Sequence, residues 1–283
     1  MTIDQLLRWA VAELKAIDTA PLDAQVLLAF VLEESRTHLM AWPEKEVSDS
    51  LEQAFRQLVA ERKTHRPIAH LTGEREFWSL PLYTNDTTLI PRPDTERLVE
   101  IALEKLPKSQ IDLIDLGTGT GAIALALGTE RPLWRIAAVD QSPEAIKLAQ
   151  RNAKRHHLTG IDFRVNNWLD DFDREKFDAV LSNPPYIRSD DPHLNQGDVQ
   201  FEPHSALVAE DDGIQDIRLI AQQAQRCLKP GGWLMLEHGY DQRDEVGFEL
   251  LHLGYTDIEN FSDYGGQPRV TVGRKSAKIV SIR

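Results

Sequence analysis

Apolar positions in residues 1–75 recur at helical spacing. Ile3, Leu6, Leu7, Ala10, Leu14 and Ile17 share one face, with Asp4 as an N-cap or first-turn acid. Leu22, Val26, Leu27, Phe30 and Val31 form a second face that begins at Pro21. Leu51, Ala54, Phe55, Leu58 and Val59 form a third. Short amphipathic helices are unstable alone, so these segments predict a small helical bundle.

The pattern changes after Gly73. Residues 77–83 and 87–90 are rich in β-formers and are broken by Asn85-Asp86, which predicts a hairpin that turns there. Pro91-Arg92-Pro93 stops the second strand, and Asp94-Thr95-Glu96 can start a helix through 105. Short apolar runs then follow at 111–116, 135–140, 161–165, 177–182 and 232–237. Helix-length segments such as 122–129 and 143–156 lie between most of them, predicting an open, mostly parallel α/β sheet. The last two runs, 255–261 and 268–272, have no helix between them and predict an antiparallel closing pair.

Composition narrows the possibilities. The 283 residues include 32 Lys and Arg against 45 Asp and Glu, a formal net charge of −13. That balance counts against nonspecific wrapping of nucleic acid, which needs a basic stripe. No run approaches the roughly 18–20 apolar residues of a spanning helix. The single cysteine, Cys227, excludes an internal disulfide framework and thiolate metal clusters, and no metal is expected. The opening MTIDQLLRWAVAELKA does not read as a signal peptide, so a cytoplasmic protein is expected. Cys227 reads as a buried small residue, His238 as a surface or packed histidine, His156-His157 as a helix end, and 274–283 as a frayed tail.

Candidate chemistry begins at Asp115-Leu116-Gly117-Thr118-Gly119-Thr120-Gly121, where the first strand of the sheet ends. Glycines allow a tight turn and close ligand approach, and the helix they open favours negative charge. Asp140 ends the next strand about 20 residues on, where an acid can accept from ribose hydroxyls. The loop alone is also compatible with a plain strand-to-helix turn. S-adenosylmethionine is favoured over NAD because the spacing is G-x-G-x-G rather than G-x-G-x-x-G, and no P-loop lysine follows. Asn166-Asn167-Trp168 after the third strand adds a polar side chain for an adenine edge and a ring for its face. Taken alone, Trp168 reads more readily as a core aromatic.

The fourth strand runs into Asn183-Pro184-Pro185-Tyr186. Two prolines stiffen this loop and remove its donors, so it offers acceptors at a strand's carboxyl end. A planar NH2 group has a delocalised lone pair and is a poor nucleophile. The Asn183 side-chain oxygen and the Pro184 carbonyl can accept both of its N–H bonds and favour the positive charge that grows on nitrogen. Tyr186 can pack against the planar group. Positioning then dominates, and no strong general base is needed.

Together these residues resemble the N-P-P-Y class of Rossmann-like S-adenosylmethionine methyltransferases. With Leu89-Ile90-Pro91-Arg92-Pro93-Asp94-Thr95-Glu96, Ser182 before the N-P-P-Y and Ile187 after it, and Phe201-Glu202-Pro203 with Ala206-Leu207, the chain is similar to the peptide chain release factor N5-glutamine methyltransferases. The N-terminal segment Pro67-Ile68-Ala69-His70-Leu71-Thr72-Gly73 with Glu76-Phe77 belongs to the same likeness. The resemblance implies a class I methyltransferase sheet with antiparallel closing strands, plus an N-terminal helical bundle joined by a β-hairpin. It implies a helical substrate-recognition domain at 1–75, a hairpin linker at 76–90 and a cofactor-binding domain at 91–283. It implies methyl transfer from S-adenosyl-L-methionine, leaving S-adenosyl-L-homocysteine, to the glutamine amide in the Gly-Gly-Gln loop of class I release factors. Gly117, Thr118, Gly119, Thr120, Gly121, Asp140, Asn167, Trp168 and Asn183 would contact the cofactor. Asn183, Pro184, Pro185 and Tyr186 would hold the glutamine, with Asn183, Pro184 and Tyr186 as the catalytic set. Asn167 departs from the Asp common in the family, which bears on cofactor affinity.

A DNA or RNA adenine-N6 or cytosine-N4 methyltransferase needs the same NH2 geometry, and a non-enzymatic S-adenosylmethionine-binding docking protein needs only the loop. A monomer acting on protein, without direct nucleic-acid or membrane contact, is the favoured reading. One feature of charge supports it. Between Arg188 and Arg218 there is no Lys or Arg, while Asp190, Asp191, Asp198, Glu202, Glu210, Asp211, Asp212 and Asp216 follow the proposed catalytic loop. Such a run is usually a solvated face, but here it would repel phosphates and attract a basic protein loop.

Overall fold

The structure, a computed structural model, describes residues 1–210 and 213–277, without the side chains of His193 and Asn195. Asp211, Asp212 and the last six residues of the expected tail lie outside the described residues. The chain forms two compact units, one of Met1–Glu74 with Pro192–Phe201 and the other of Arg75–Asp191 with Glu202 onward.

The first unit contains α1 (Ile3–Glu13), α2 (Ala20–Leu32), α3 (Arg36–Ala41), α4 (Asp49–Arg62) and α5 (Ile68–Thr72). Thr2, not Asp4, caps α1. Its hydroxyl accepts from Gln5 N–H at 3.3 Å while the Gln5 side chain accepts from Thr2 N–H at 3.0 Å. Asp4 is left as the first-turn acid, the other half of the expectation. The α1 face packs as predicted, with Ile3, Leu6, Ala10 and Leu14 buried against Leu27, Phe55 and Val59.

The face of α2 differs from the prediction. Leu22 and Phe30 are exposed, while Ala20, Ala24, Leu27 and Leu28 are buried. This helix is apolar on most sides, so periodicity cannot select a face. A polar contact selects it instead: Asp23 turns inward and accepts from Arg62 Nε at 2.7 Å. Both side chains are at least nine-tenths buried, and Arg62 Nη1 also donates to Asp198 at 2.6 Å and to the Arg66 carbonyl at 3.0 Å. On α4, Phe55 and Val59 are buried, but Leu51 and Ala54 face outward.

A hairpin of β1 (Glu74–Phe77) and β2 (Leu80–Tyr83) opens the second unit, all of it but Glu74 lying there. Its turn is Trp78-Ser79, not Asn85-Asp86. Both turn residues have positive φ, 53° and 59°, the backbone of a two-residue hairpin turn. Glu96 accepts from Trp78 N–H at 2.8 Å and Glu130 from the Trp78 indole at 2.9 Å, which holds this unfavourable backbone. Asn85 instead accepts from the amide and hydroxyl of Thr87 at 3.1 and 2.7 Å, so 87–90 leaves the hairpin as an irregular segment.

Next come α6 (Glu96–Lys105), β3 (Asp112–Leu116), α7 (Ala122–Glu130), β4 (Arg135–Asp140), α8 (Pro143–Arg155), β5 (Asp162–Val165), β6 (Phe177–Ser182), β7 (Ile187–Arg188) and β8 (Val208–Ala209). The unit ends with α9 (Gln215–Cys227), β9 (Leu228–Glu237), α10 (Arg243–His252), β10 (Tyr255–Ser262) and β11 (Pro268–Lys275). The seven-stranded sheet has the order β10-β11-β9-β6-β3-β4-β5. Strands β3, β4, β5, β6 and β9 run parallel, and β11 and β10 close the sheet antiparallel, as expected. The short parallel pair β7–β8 carries no periodic signal and was not anticipated.

Successive strand residues face opposite layers. Leu113, Ala179, Leu181 and Met235 pack with α6 and α7, while Ile114, Leu116, Val180 and Leu234 pack with α9. Cys227 is buried, as read from the sequence, and of the two alternatives for His238, surface or packed, the structure takes the packed one. His238 Nδ1 donates to the Gly239 carbonyl at 2.8 Å, and burial lowers the pKa of the ring. His156 caps the end of α8, as read, its N–H donating to the Asn152 carbonyl at 3.2 Å, while its ring meets the Pro81 carbonyl at 2.9 Å. Among the described residues, no helix is long and apolar enough to cross a membrane.

Asp23→Ala should lower the unfolding free energy by about 3 kcal/mol, the low end for breaking a buried pair, because Asp198 still faces Arg62. Denaturant titration checks this, and a loss below about 1 kcal/mol would mean that Asp198 alone satisfies the guanidinium.

Candidate active site

Strand order reverses at β3, with β4 on one side and β6 on the other. An open parallel sheet leaves a crevice at the carboxyl ends of strands at such a point. A cavity of about 500 Å³ lies there. Its walls include Gly117 to Thr120, Asp140, Asn166 to Trp168, Asn183 and Pro185, with Thr87, Thr88, Leu89, Arg92 and Thr95. The size falls within the range of roughly 300–1,000 Å³ for small-molecule sites.

Of the residues singled out in sequence, Gly121, Pro184 and Tyr186 stand outside this lining. Gly121 caps α7 with φ +86°, and a Cβ there would come within 3.2 Å of Ala149 Cβ and Leu125 Cδ1. Its place is close helix packing. Pro184 is buried, and the Tyr186 hydroxyl points to Glu237 Oε1 at 3.4 Å.

Gly117 and Gly119 also have positive φ, 69° and 53°, and a Cβ on Gly117 would lie 3.3 Å from Trp168 Cζ3. The indole therefore lies against the loop backbone. Trp168 itself has a φ of 46° and lines the cavity with Asp216. Asp140 Oδ2 accepts from Gly119 N–H at 3.0 Å and Oδ1 from Ser142 N–H at 2.9 Å. A carboxylate has about four acceptor sites, so two remain for neighbouring hydroxyls. Burial raises the Asp140 pKa. Asp115 is fully buried, accepts from the Thr118 hydroxyl at 2.6 Å, and is pushed up to about 7 by that burial. Asn167 is exposed and its Nδ2 donates to Asp170 at 3.1 Å, so its oxygen is the atom left to accept. Glycine backbone, a ribose-type acid, a ring and an adenine-edge amide thus converge, and they fit S-adenosylmethionine.

At the other wall, Asn183 Nδ2 donates to Thr95 Oγ1 at 3.0 Å, leaving Oδ1 as an acceptor. Ser182 Oγ donates to the Leu116 carbonyl at 2.8 Å, tying the ends of β6 and β3 together. Beneath lies Glu237, 1% exposed and pushed up to about 7, mainly by burial.

Sequence reasoning passed over four residues that set this geometry. Asn152 accepts from Tyr83 N–H at 2.7 Å and donates to the Thr120 carbonyl at 2.9 Å, fastening the glycine loop to β2. Its signal was a polar residue in the buried stripe of α8, beside Ala149 and Ala153. Glu202 accepts from Ile90 N–H at 2.9 Å and pairs with Arg92, joining two segments of the family likeness. Thr95 stood in a recognised segment but was read only as a helix start, and Glu237 carried no signal beyond ending a strand.

The acidic run is not one solvated face. Glu202 is buried, Asp198 pairs with Arg62, and Asp216 is partly buried beside Trp168. The electrostatic argument for a basic substrate loop is weaker by those charges.

Because the folded pKa of Asp115 lies above its ordinary 3.8, its contribution to stability is complete below that pH and is lost as pH rises through about 7. Asp115→Asn should therefore flatten the fall in stability across this window, with a residual slope from Glu237. Melting midpoints in a pH series check this, and equal slopes in both proteins would contradict it.

Comparison with known proteins agrees with the geometry. Residues 5–73 match the PrmC N-terminal domain family, and residues 107–255 match a methyltransferase domain family. The chain is 46% identical over 277 residues to the release factor glutamine methyltransferase of Aliivibrio fischeri, covering 97% of this chain and 98% of that protein. It is 47% identical over 274 residues to the release factor glutamine methyltransferase of Escherichia coli, covering 97% and 99%. The crystal structure of a methyltransferase from Pyrococcus furiosus aligns with a TM-score of 0.52 at 16% identity, over 78% of this chain and 98% of that one, a likeness of fold alone. With identity of this level along nearly the whole length, the chain belongs to the release factor glutamine methyltransferase family.

Proposed function

We propose that this chain transfers a methyl group from S-adenosyl-L-methionine to the side-chain amide nitrogen of the glutamine in the Gly-Gly-Gln loop of class I peptide chain release factors. The observation that carries the reading is the state of Asn183. Its NH2 is committed to Thr95, so its oxygen stands as an acceptor on the cavity wall, beside a proline pair without donors.

In this reading Gly117 to Thr120 cradle the cofactor's amino-acid portion with the N-terminus of α7 behind them, and Gly121 supports the turn. Asp140 accepts from the ribose hydroxyls, Asn167 from the adenine amino group, and Trp168 covers the ring. The bound cofactor supplies an electrophilic methyl group on a sulfonium. Asn183 Oδ1 and the Pro184 carbonyl accept the two N–H bonds of the glutamine amide, which fixes its plane and turns one face toward the methyl. The same two acceptors favour the positive charge that grows on nitrogen, and they can take up the proton's hydrogen bond as it leaves toward water. Pro185 and Tyr186 keep the loop stiff. Orientation of this kind can contribute up to roughly 7–11 kcal/mol.

Residues 1–75 are assigned substrate recognition, 76–90 the linker and 91–283 the chemistry. The relatives are named for action on release factors, which supports the substrate. The reading takes the protein as a cytoplasmic monomer.

Labelled methyl should enter a purified release factor and be lost when its Gly-Gly-Gln glutamine is changed. Label appearing in DNA or RNA instead would overturn the substrate. Asn183→Ala should lower turnover by about 10²–10³, the effect of losing one transition-state hydrogen bond. Near-normal turnover would remove Asn183 from the mechanism.

A further inference from the structure

The N-P-P-Y loop is fixed at its front by Ser182 and Asn183, whose side chains bond the Leu116 carbonyl and Thr95. The two prolines that follow carry no N–H, so the middle of the loop has no donor by which to be held. A second holder stands at the rear. Gln242 Nε2 donates to the Tyr186 carbonyl at 3.0 Å, and Gln242 Oε1 accepts from Gly239 N–H at 2.8 Å. A backbone N–H can only donate and a carbonyl can only accept, so these two partners fix which way the Gln242 amide points.

The base of this holder is rigid. Gln242 is 7% exposed and stands just before α10. It occupies the N-cap position, yet its side chain makes no cap bond and reaches the loop instead. Helix α10 is seated by Val246 and Leu250, both fully buried. The turn that carries Gln242 follows β9, the parallel neighbour of β6, so it arrives at the same end of the sheet as the loop. Gly213 closes the other side. Its φ is +86°, and a Cβ there would lie 2.5 Å from the Tyr186 oxygen and 2.7 Å from Gln242 Nε2. Only a glycine backbone fits directly over this hydrogen bond, and Gly213 is itself buried. A hydrogen bond in such a low dielectric is stronger than one in water.

We propose that Gln242 and Gly213 are positioning residues for methyl transfer, forming a clamp on the Tyr186 carbonyl that fixes the rear of the N-P-P-Y loop. The inference rests on the amide-methylation reading above and deepens it. The prolines lock φ at 184 and 185, but ψ keeps some freedom at each position. A loop held only at its front would swing the Pro184 carbonyl about those torsions. Here the Tyr186 carbonyl is held as well, and Ile187 N–H donates to the Leu207 carbonyl at 2.9 Å. The Pro184 carbonyl and Asn183 Oδ1 then keep one spacing, which a planar NH2 group needs if both of its N–H bonds are to be accepted at once.

The test uses the full chain, S-adenosylmethionine and a purified release factor, with kcat expressed per site that binds S-adenosylhomocysteine in calorimetric titration. Gln242→Met keeps the side-chain length and removes both hydrogen bonds. It should lower kcat about 10- to 100-fold, up to the loss expected from a misplacement of about 1 Å, while the dissociation constant for S-adenosylhomocysteine changes less than about threefold. Gly213→Ala, which pushes on the same hydrogen bond from the opposite side, should act in the same way. Because the clamp works through the loop's acceptors, Gln242→Met added to Asn183→Ala should cost at least about threefold less than it costs alone. Normal kcat per site in Gln242→Met, or losses that multiply in full in the double variant, would overturn the positioning role and leave the amide reading intact. Cofactor binding that weakens in step with kcat would do the same, since it marks a general structural loss. If Gln242→Met does not fold, Gly213→Ala, alone and with Asn183→Ala, decides. A wild type that methylates no glutamine amide would remove the amide reading and this role with it.

Discussion

A parallel strand ends in carbonyls and amides that its neighbours cannot all satisfy, and the point where strand order reverses leaves space above those ends. In this protein that point is β3. The chain winds outward through β4 and β5, then returns to lay β6 on the other side of β3. Four strand ends therefore deliver four short polar segments to one cavity: the glycine loop, Asp140, Asn166 to Trp168, and Asn183. The Ser182 to Leu116 hydrogen bond closes the seam between the two central strands. No one of these segments makes a site alone.

Buried carboxylates do the finer positioning. Asp115 holds Thr118, Asp140 holds Gly119 and Ser142, and Glu202 holds Ile90 and Arg92. Each acid is in low dielectric, where leaving a polar group unpaired is costly, so each loop has few alternative conformations. The same environment raises the pKa of Asp140 and pushes those of Asp115 and Glu237 up to about 7. Acids that look like surface charge in a composition count are thus partly internal hardware.

Local patterns were legible where one interaction range decides them. Short apolar strand runs, the glycine turn and the proline-stiffened loop all follow from neighbours in sequence, and the sheet, its closing pair and the cavity residues Gly117, Asp140 and Asn183 were readable on that basis. The exposed face of α2 was misread because its apolar residues surround the helix and Asp23 chooses its orientation through Arg62 on α4. The hairpin turn was misplaced because Asn85-Asp86 has ordinary turn chemistry, whereas Trp78-Ser79 adopts left-handed backbone only with Glu96 and Glu130 as partners.

The sequence by itself determined the class of sheet, the order of its elements, the cofactor loop and the acceptor character of Asn183-Pro184-Pro185-Tyr186. These depend on residue type and spacing over a few positions. Only the tertiary structure decided which atom of Asn183 faces the cavity, because the deciding hydroxyl, Thr95, is 88 residues away in the chain. It alone also brought Glu202 to Arg92 and Glu237 beneath Tyr186, across separations of 110 and 51 residues. Hydrogen bonds are short-ranged and directional, so a partner that distant along the chain becomes a partner only when packing has set both groups in place.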